Sequence, residues 1–224
     1  MRRLAPLVLA VVSGCYPSAG TLMRVPTEPV GKAAFSGTVG TSLTEVETTD
    51  PNTGKVTKSL TVLPDIEMGI RQGLAEHLEL GGRIWLLELS GRVDLKWQAI
   101  ASKTFDLAIA PGLGLGIPAP WWANPIAFGH GTSIDPLRWH LPVLLGFHLG
   151  PHELLLGSQL IAYLYFSPHS ENGASPRLVY LSYGGTLGFD IDVGRRGHVV
   201  PEVDVQCSQA APACQVYLAI SWFQ

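Results

Sequence analysis

Arg92-Val93-Asp94-Leu95-Lys96-Trp97-Gln98 alternates without a break. Arg92, Asp94, Lys96 and Gln98 fall on one face, and Val93, Leu95 and Trp97 fall on the other. Period two is the signature of a strand with two different surroundings. The same pattern returns over 198–206, with His198, Glu202, Asp204 and Gln206 against Val199, Pro201, Val203 and Val205. It returns again over 179–193, where Leu181, Tyr183, Leu187, Phe189 and Ile191 oppose Ser182, Gly184, Thr186, Gly188, Asp190 and Asp192.

The surrounding composition limits the choices. Of 224 residues, 46% are hydrophobic and only 15% are charged, where soluble domains carry about 25%. Such a chain is too apolar for disorder. Twenty-five Gly and 17 Pro break it too often for long helices. Net charge is −3 and no basic run exceeds two residues, which argues against nucleic acid as a partner.

Turn residues divide the chain into ten expected strands, roughly 34–48, 55–71, 77–88, 91–101, 104–117, 138–149, 152–166, 177–193, 198–207 and 215–223. Strand ends shift by a few residues in such a reading, so eight to twelve strands are compatible with it. Compact connections, such as Gly150-Pro151 and Gly194-Arg195-Arg196-Gly197, alternate with longer ones at 118–137, 167–176 and 208–214. Short turns on one side and long loops on the other mark an up-and-down membrane barrel. A soluble barrel with an apolar interior gives the same alternation. Three features favour the membrane. The apolar faces are nearly unbroken, as in Phe105, Leu107, Ile109, Leu113, Leu115 and Ile117, or Trp139, Leu141, Val143, Leu145 and Phe147. Aromatic residues Trp97, Phe105, Trp139, Phe147, Phe166, Tyr180 and Trp222 gather near strand ends, as an interfacial girdle requires. The polar faces carry both signs of charge at mid-strand, where Asp65, Glu67, Arg71, Glu79, Arg83, Arg92, Asp94 and Lys96 stand.

Ile66-Glu-Met-Gly-Ile-Arg-Gln-Gly-Leu74, a tight turn and Leu78-Glu-Leu-Gly-Gly-Arg83 form a strand–turn–strand unit within 66–85. Here the chain resembles the small outer-membrane β-barrel proteins of Gram-negative bacteria, over roughly 34–223. The resemblance implies an all-β, antiparallel, up-and-down transmembrane-type barrel of about ten strands. Such barrels usually end in Phe, whereas this chain ends Trp222-Phe223-Gln224.

At the N-terminus, Arg2 and Arg3 precede nine apolar residues, Leu4 to Val12. That run is too short to span a bilayer and suits a signal peptide. Val12-Ser13-Gly14-Cys15 follows and resembles the lipobox of bacterial lipoproteins. The resemblance implies lipidation of Cys15 and, because Tyr16 is not Asp, sorting to the outer membrane. The expected organisation is a lipoprotein signal over 1–14, a lipid-anchored flexible tether over 15–33, and the barrel over 34–224. Loss of 1–14 leaves 13 basic against 18 acidic residues, a net charge of −5. Cys207 and Cys214, an even pair beyond a secretory signal, read as a disulfide closing a hairpin loop.

Candidate chemistry is sparse. Gly112-x-Gly114-x-Gly116 has the look of a phosphate loop but no helix follows, so its glycines are read as making room in a lumen. His140, His148 and His152, with Glu153, have metal-ligating types without evident convergence. His169-Ser170-Glu171 has the residue types of a hydrolase triad, but adjacent side chains diverge. The remaining charges, Glu67, Arg71, Arg83, Arg92, Asp94, Lys96, Arg138, Glu153, Asp190, Asp192, Glu202 and Asp204, are read as a lumen network. The expectation is therefore a lipid-anchored outer-membrane barrel with a structural, interaction or narrow-channel role. Its external loops, with Trp121 and Trp122, form the contact surface. No catalytic residue, metal or cofactor is assigned, and outer-membrane lipid is the one partner read from the residues. A soluble, lipid-anchored barrel binding an apolar ligand is the second reading, and a barrel hydrolase the third.

Overall fold

The alternating segments close on themselves. The computed structural model describes residues 24–49, 53, 55–86, 90–116, 137–166, 176–208 and 214–224. Its strands are β1 (Ala33–Thr49), β2 (Val56–Ala75), β3 (Leu78–Trp85), β4 (Ser90–Ala101), β5 (Phe105–Ile109), β6 (Gly112–Gly116), β7 (Leu137–Leu149), β8 (His152–Phe166), β9 (Pro176–Asp192), β10 (His198–Ser208) and β11 (Cys214–Phe223). Apart from β5 and β6, consecutive strands pair antiparallel, and β1 pairs with β11 to complete the ring, from Ser36 opposite Phe223 to Leu43 opposite Val216.

The segments β5 and β6 occupy one position in the wall, since both pair with β4 on one side and β7 on the other. The barrel is thus ten strands around. The expected single strand over 104–117 is split because Pro111 has no N–H to give the ladder. The wall is bridged there by the Leu95 N–H donating to the Pro111 carbonyl (3.0 Å) and the Ala110 N–H to that of Pro142 (3.1 Å). Inward and outward parity is the same on both sides of the break.

Burial decides which face is inside. On β4, Arg92, Asp94 and Lys96 are 3%, 2% and 1% exposed, while Val93, Leu95 and Trp97 are 58%, 41% and 54% exposed. The other strands follow suit, with Leu113, Tyr183, Leu187, Val203 and Ile220 outward and Thr38, Glu67, Asp106, Thr186 and Asp204 inward. This is the reverse of a soluble barrel enclosing an apolar ligand, and it is the arrangement a lipid-embedded barrel needs. The second reading is therefore corrected: among the described residues the inward face is mainly polar and charged, with most of its buried apolar side chains in one small cluster.

The two mouths differ. Both chain ends of the barrel lie at one mouth, with the turns at 76–77, 102–104, 150–151 and 194–196. There His77 and Gly150 take left-handed backbone angles (φ 63° and 73°), as tight hairpins demand. Phe35, Trp97, Phe147 and Trp222 project outward near this mouth, and Phe105 lies 6.5 Å from Phe147 between ring centroids. Trp139 projects near the opposite, loop-bearing mouth. The side chains of Phe166 and Tyr180 lie outside the description.

Candidate functional site

The polar lumen is the only place where this chain concentrates chemistry among the described residues. On β2, β3 and β4, four buried carboxylates (Asp65, Glu67, Glu79, Asp94) meet four buried cations (Arg71, Arg83, Arg92, Lys96). Arg71 joins two acids, with Nη1 2.5 Å from Glu79 Oε1 and Nη2 donating to Asp94 Oδ1. Lys96 Nζ is 2.9 Å from the same Glu79 oxygen. Arg83 donates to Glu67 at 3.0 Å. Arg92 Nε lies 3.4 Å from Asp94 Oδ2, with its guanidinium carbon 5.8 Å from the centre of the Trp85 ring. Backbone spacing permits this density: a Cβ on Gly81 would stand 2.7 Å from Arg71 Nη2, and one on Gly112 would stand 2.8 Å from Asp94 Cβ. Charge-assisted hydrogen bonds of this kind offset the desolvation of ions only when every partner is present.

Among the described residues these cations do not meet acids across the lumen. Arg71, Arg83, Arg92 and Lys96 pair along one side of the wall, because neighbouring strands bring same-face side chains to about 5 Å. Glu79, which is not in the expected network, is central to the cluster. Glu202 and Asp204 sit on the opposite side and accept from hydroxyls: Ser221 Oγ donates to Glu202 at 2.9 Å, and Thr186 Oγ1 donates to Asp204. Arg138 is buried toward the loop end of β7. Asp190 is buried and takes Arg24 Nε at 3.1 Å and His198 Nδ1 at 2.9 Å. Asp192 does not join the lumen network: it sits at the end of β9 and its carboxylate accepts from the Gly194 N–H at 2.6 Å, capping the turn.

Residues 24–32, which the sequence reading places in the tether, cross the short-turn mouth. At one end Arg24 reaches Asp190 on β9. At the other, Gly31 and Lys32 form a two-way backbone ladder with Gly73 on β2, at 2.9 and 3.0 Å. Gly73 admits the strap because a Cβ there would lie 2.4 Å from the carbonyls of Glu28 and Pro29. Between the ends, Lys96 Nζ donates to the carbonyls of Arg24 and Pro26 (2.8 and 3.0 Å), the Glu28 N–H donates to Glu79 (2.9 Å), and Thr27 Oγ1 donates to Gln98 (3.1 Å). Val25, fully buried, clusters with Ala108, Ala110, Leu144, Leu155, Val200 and Phe223. An apolar plug thus sits inside a polar barrel, held by residues of almost every strand. Nothing in the local sequence announces it, since its partners lie far along the chain.

The fold separates the three histidines considered as ligands. His140 is buried in mid-lumen beside Gly114. His152 is at the rim, where its ring accepts from the Asp192 N–H at 3.3 Å and faces Phe189. His148 stands at the short-turn mouth with Asp106, 3.1 Å from Nε2 to Oδ2. Cys207 and Cys214 face each other as a β10–β11 pair and form the disulfide at the loop-bearing mouth. Trp121, Trp122, Cys15 and His169-Ser170-Glu171 lie outside the described residues.

No protein-family model matches the chain, and no curated protein matches it. Among solved structures, it is similar to Neisserial surface protein A at 8% identity, with 85% of this chain and 94% of that one covered and a TM-score of 0.38. It is similar to Ail, the attachment invasion locus protein of Yersinia pestis, at 10% identity, with 88% and 100% covered and a TM-score of 0.31. The Pseudomonas putida toluene transporter TodX matches at 11% identity, with 87% and 68% covered and a TM-score of 0.32. The barrel assignment rests on the closed ladder of strands and not on these likenesses.

Proposed function

We propose that this protein is a lipid-anchored outer-membrane barrel that presents its loops from a closed scaffold, with a structural or interaction role. One observation carries the reading: the strap of residues 24–32 lies across the short-turn mouth, with Val25 buried in the lumen. Interiors of about eight strands are filled by side chains, and open water channels need 16 or more. Ten strands, a paired charge cluster and an inserted strap leave little room for flux. The lipobox fits the same geometry. Nine positions separate Cys15 from Arg24, a reach of up to about 30 Å, so a lipid on Cys15 anchors the leaflet nearest the plugged mouth. The contact surface then belongs to the loops with Trp121 and Trp122 and to the disulfide-closed 208–214 hairpin at the far mouth. Mass spectrometry of the mature N-terminus is expected to find a diacylated Cys15.

Planar-bilayer recording tests the closed scaffold. The purified full chain is expected to give no stepwise conductance. Reproducible unitary steps from the wild-type protein would overturn the proposal and make the protein a channel.

A further inference from the structure

We infer that Asp106, His148 and Glu153 form a divalent transition-metal site of the zinc class just inside the short-turn mouth. The residues come from three neighbouring strands, β5, β7 and β8. Their register makes them converge: Asp106 is opposite Gly146, and His148 is opposite Glu153. One ligand atom from each lies within 4.8 Å of the other two.

Two further observations point to a cation as the ligand of this cluster. Glu153 is 4% exposed and its Oε1 has no hydrogen-bond partner among the described residues. A buried carboxylate oxygen left in that state costs several kcal/mol unless something compensates it. The hydrogen bonds of Arg24 Nε and His198 Nδ1 go to Asp190 and not to Glu153 Oε1. The backbone is also cut to fit the carboxylate, because a Cβ on Gly146 would lie 1.7 Å from Glu153 Oε1. Any side chain at 146 would displace it.

The donor set decides the class of ion. One imidazole and two carboxylates suit zinc and its first-row neighbours, whereas calcium and magnesium prefer all-oxygen shells of six or more. Bonds of about 2.0–2.2 Å put tetrahedral ligands about 3.4 Å apart, so modest side-chain rotations close the site. The Ser102 N–H donates to Asp106 Oδ1 at 3.1 Å and fixes that carboxylate from behind, as outer partners of metal ligands do. It leaves Oδ2, now facing His148 Nε2, for the ion. His148 is the half-open member, with 28% of its side chain exposed, and gives the ion its way in from the mouth. Val25 of the strap lies against the same spot, with Cγ2 3.1 Å from the Gly146 Cβ position. The ion would therefore clamp three strands directly beside the plug.

The test uses the full chain in detergent, stripped with EDTA and titrated with zinc by calorimetry, followed by zinc K-edge absorption spectroscopy. One zinc per chain with a nitrogen/oxygen shell and no sulfur is expected. His148→Ala and the isosteric Glu153→Gln should each weaken binding at least tenfold, while His152→Ala leaves it unchanged. Circular dichroism and heat-shifted gel mobility confirm that each variant is folded, and Asp106→Asn replaces any that is not. Absence of saturable binding, or binding that Glu153→Gln and His148→Ala leave intact, overturns the site.

Discussion

Two stretches of the lumen wall obey the same alternation and end in different electrostatic states. On β2–β4 Glu67, Glu79 and Asp94 each have a basic neighbour, and Glu79 alone holds both Arg71 and Lys96. On β5, β7 and β8 near the short-turn mouth, Asp106 and Glu153 share a single half-exposed imidazole. Parity puts a charge inside a barrel. Register and glycine placement decide whether it finds a partner there.

Removing an acid from each wall breaks the comparison most sharply. Glu79→Gln leaves Arg71 and Lys96 short of a counter-ion in a buried space, and breaking such a pair costs about 3–5 kcal/mol. Reversible urea unfolding in lipid vesicles reads this loss directly. An Arg at Leu187, which is outward on β9, should cost about 2–4 kcal/mol if the surface outside both walls is lipid. Leu107 and Val143 offer the same test on β5 and β7. At the far mouth, replacing Cys207 and Cys214 by Ser opens a loop with a sequence separation of seven. The chain-entropy model puts that loss at about 2–3 kcal/mol, and alkylation of the denatured, unreduced wild type should label neither cysteine. The smallest change is expected at Glu153. In EDTA, Glu153→Gln replaces a buried carboxyl group whose Oε1 makes no hydrogen bond among the described residues, so stability should move by less than about 1 kcal/mol and not downward. Equal losses for Glu79→Gln and Glu153→Gln would erase the difference between the walls.

The strand pattern was legible because period two survives in every segment. Arg92 to Gln98 alone places four polar side chains inside and three apolar ones outside, and the burial values follow it. The split at Pro111 is not visible in the period-two pattern, which runs unchanged through it, although proline's missing N–H is its cause. The strap was illegible for a physical reason. Arg24 to Lys32 has no periodicity, and its partners Lys96, Gln98 and Asp190 are 70 or more residues away. The mouth cluster was half legible. His148 and Glu153 stood out as residue types, but Asp106 sits in the otherwise apolar Phe105–Ile109 strand, and only the β5–β7 register brings it alongside. Pairing within the charge cluster likewise depended on Gly81 and Gly112, whose role appears only when strands are side by side.

The inside-out burial is the foundation of all of this, and adjacent nitroxide labels on β9 test it most directly. Labels are attached at Leu187→Cys and Thr186→Cys in the full chain in vesicles, where the Cys207–Cys214 bond leaves no competing thiol in the barrel. The Leu187 label should collide with oxygen dissolved in the bilayer and be hidden from a water-soluble nickel chelate, while the Thr186 label, facing the lumen, should be shielded from lipid. A Leu187 label shielded from both lipid and water would contradict the account, because it would place the apolar face inside.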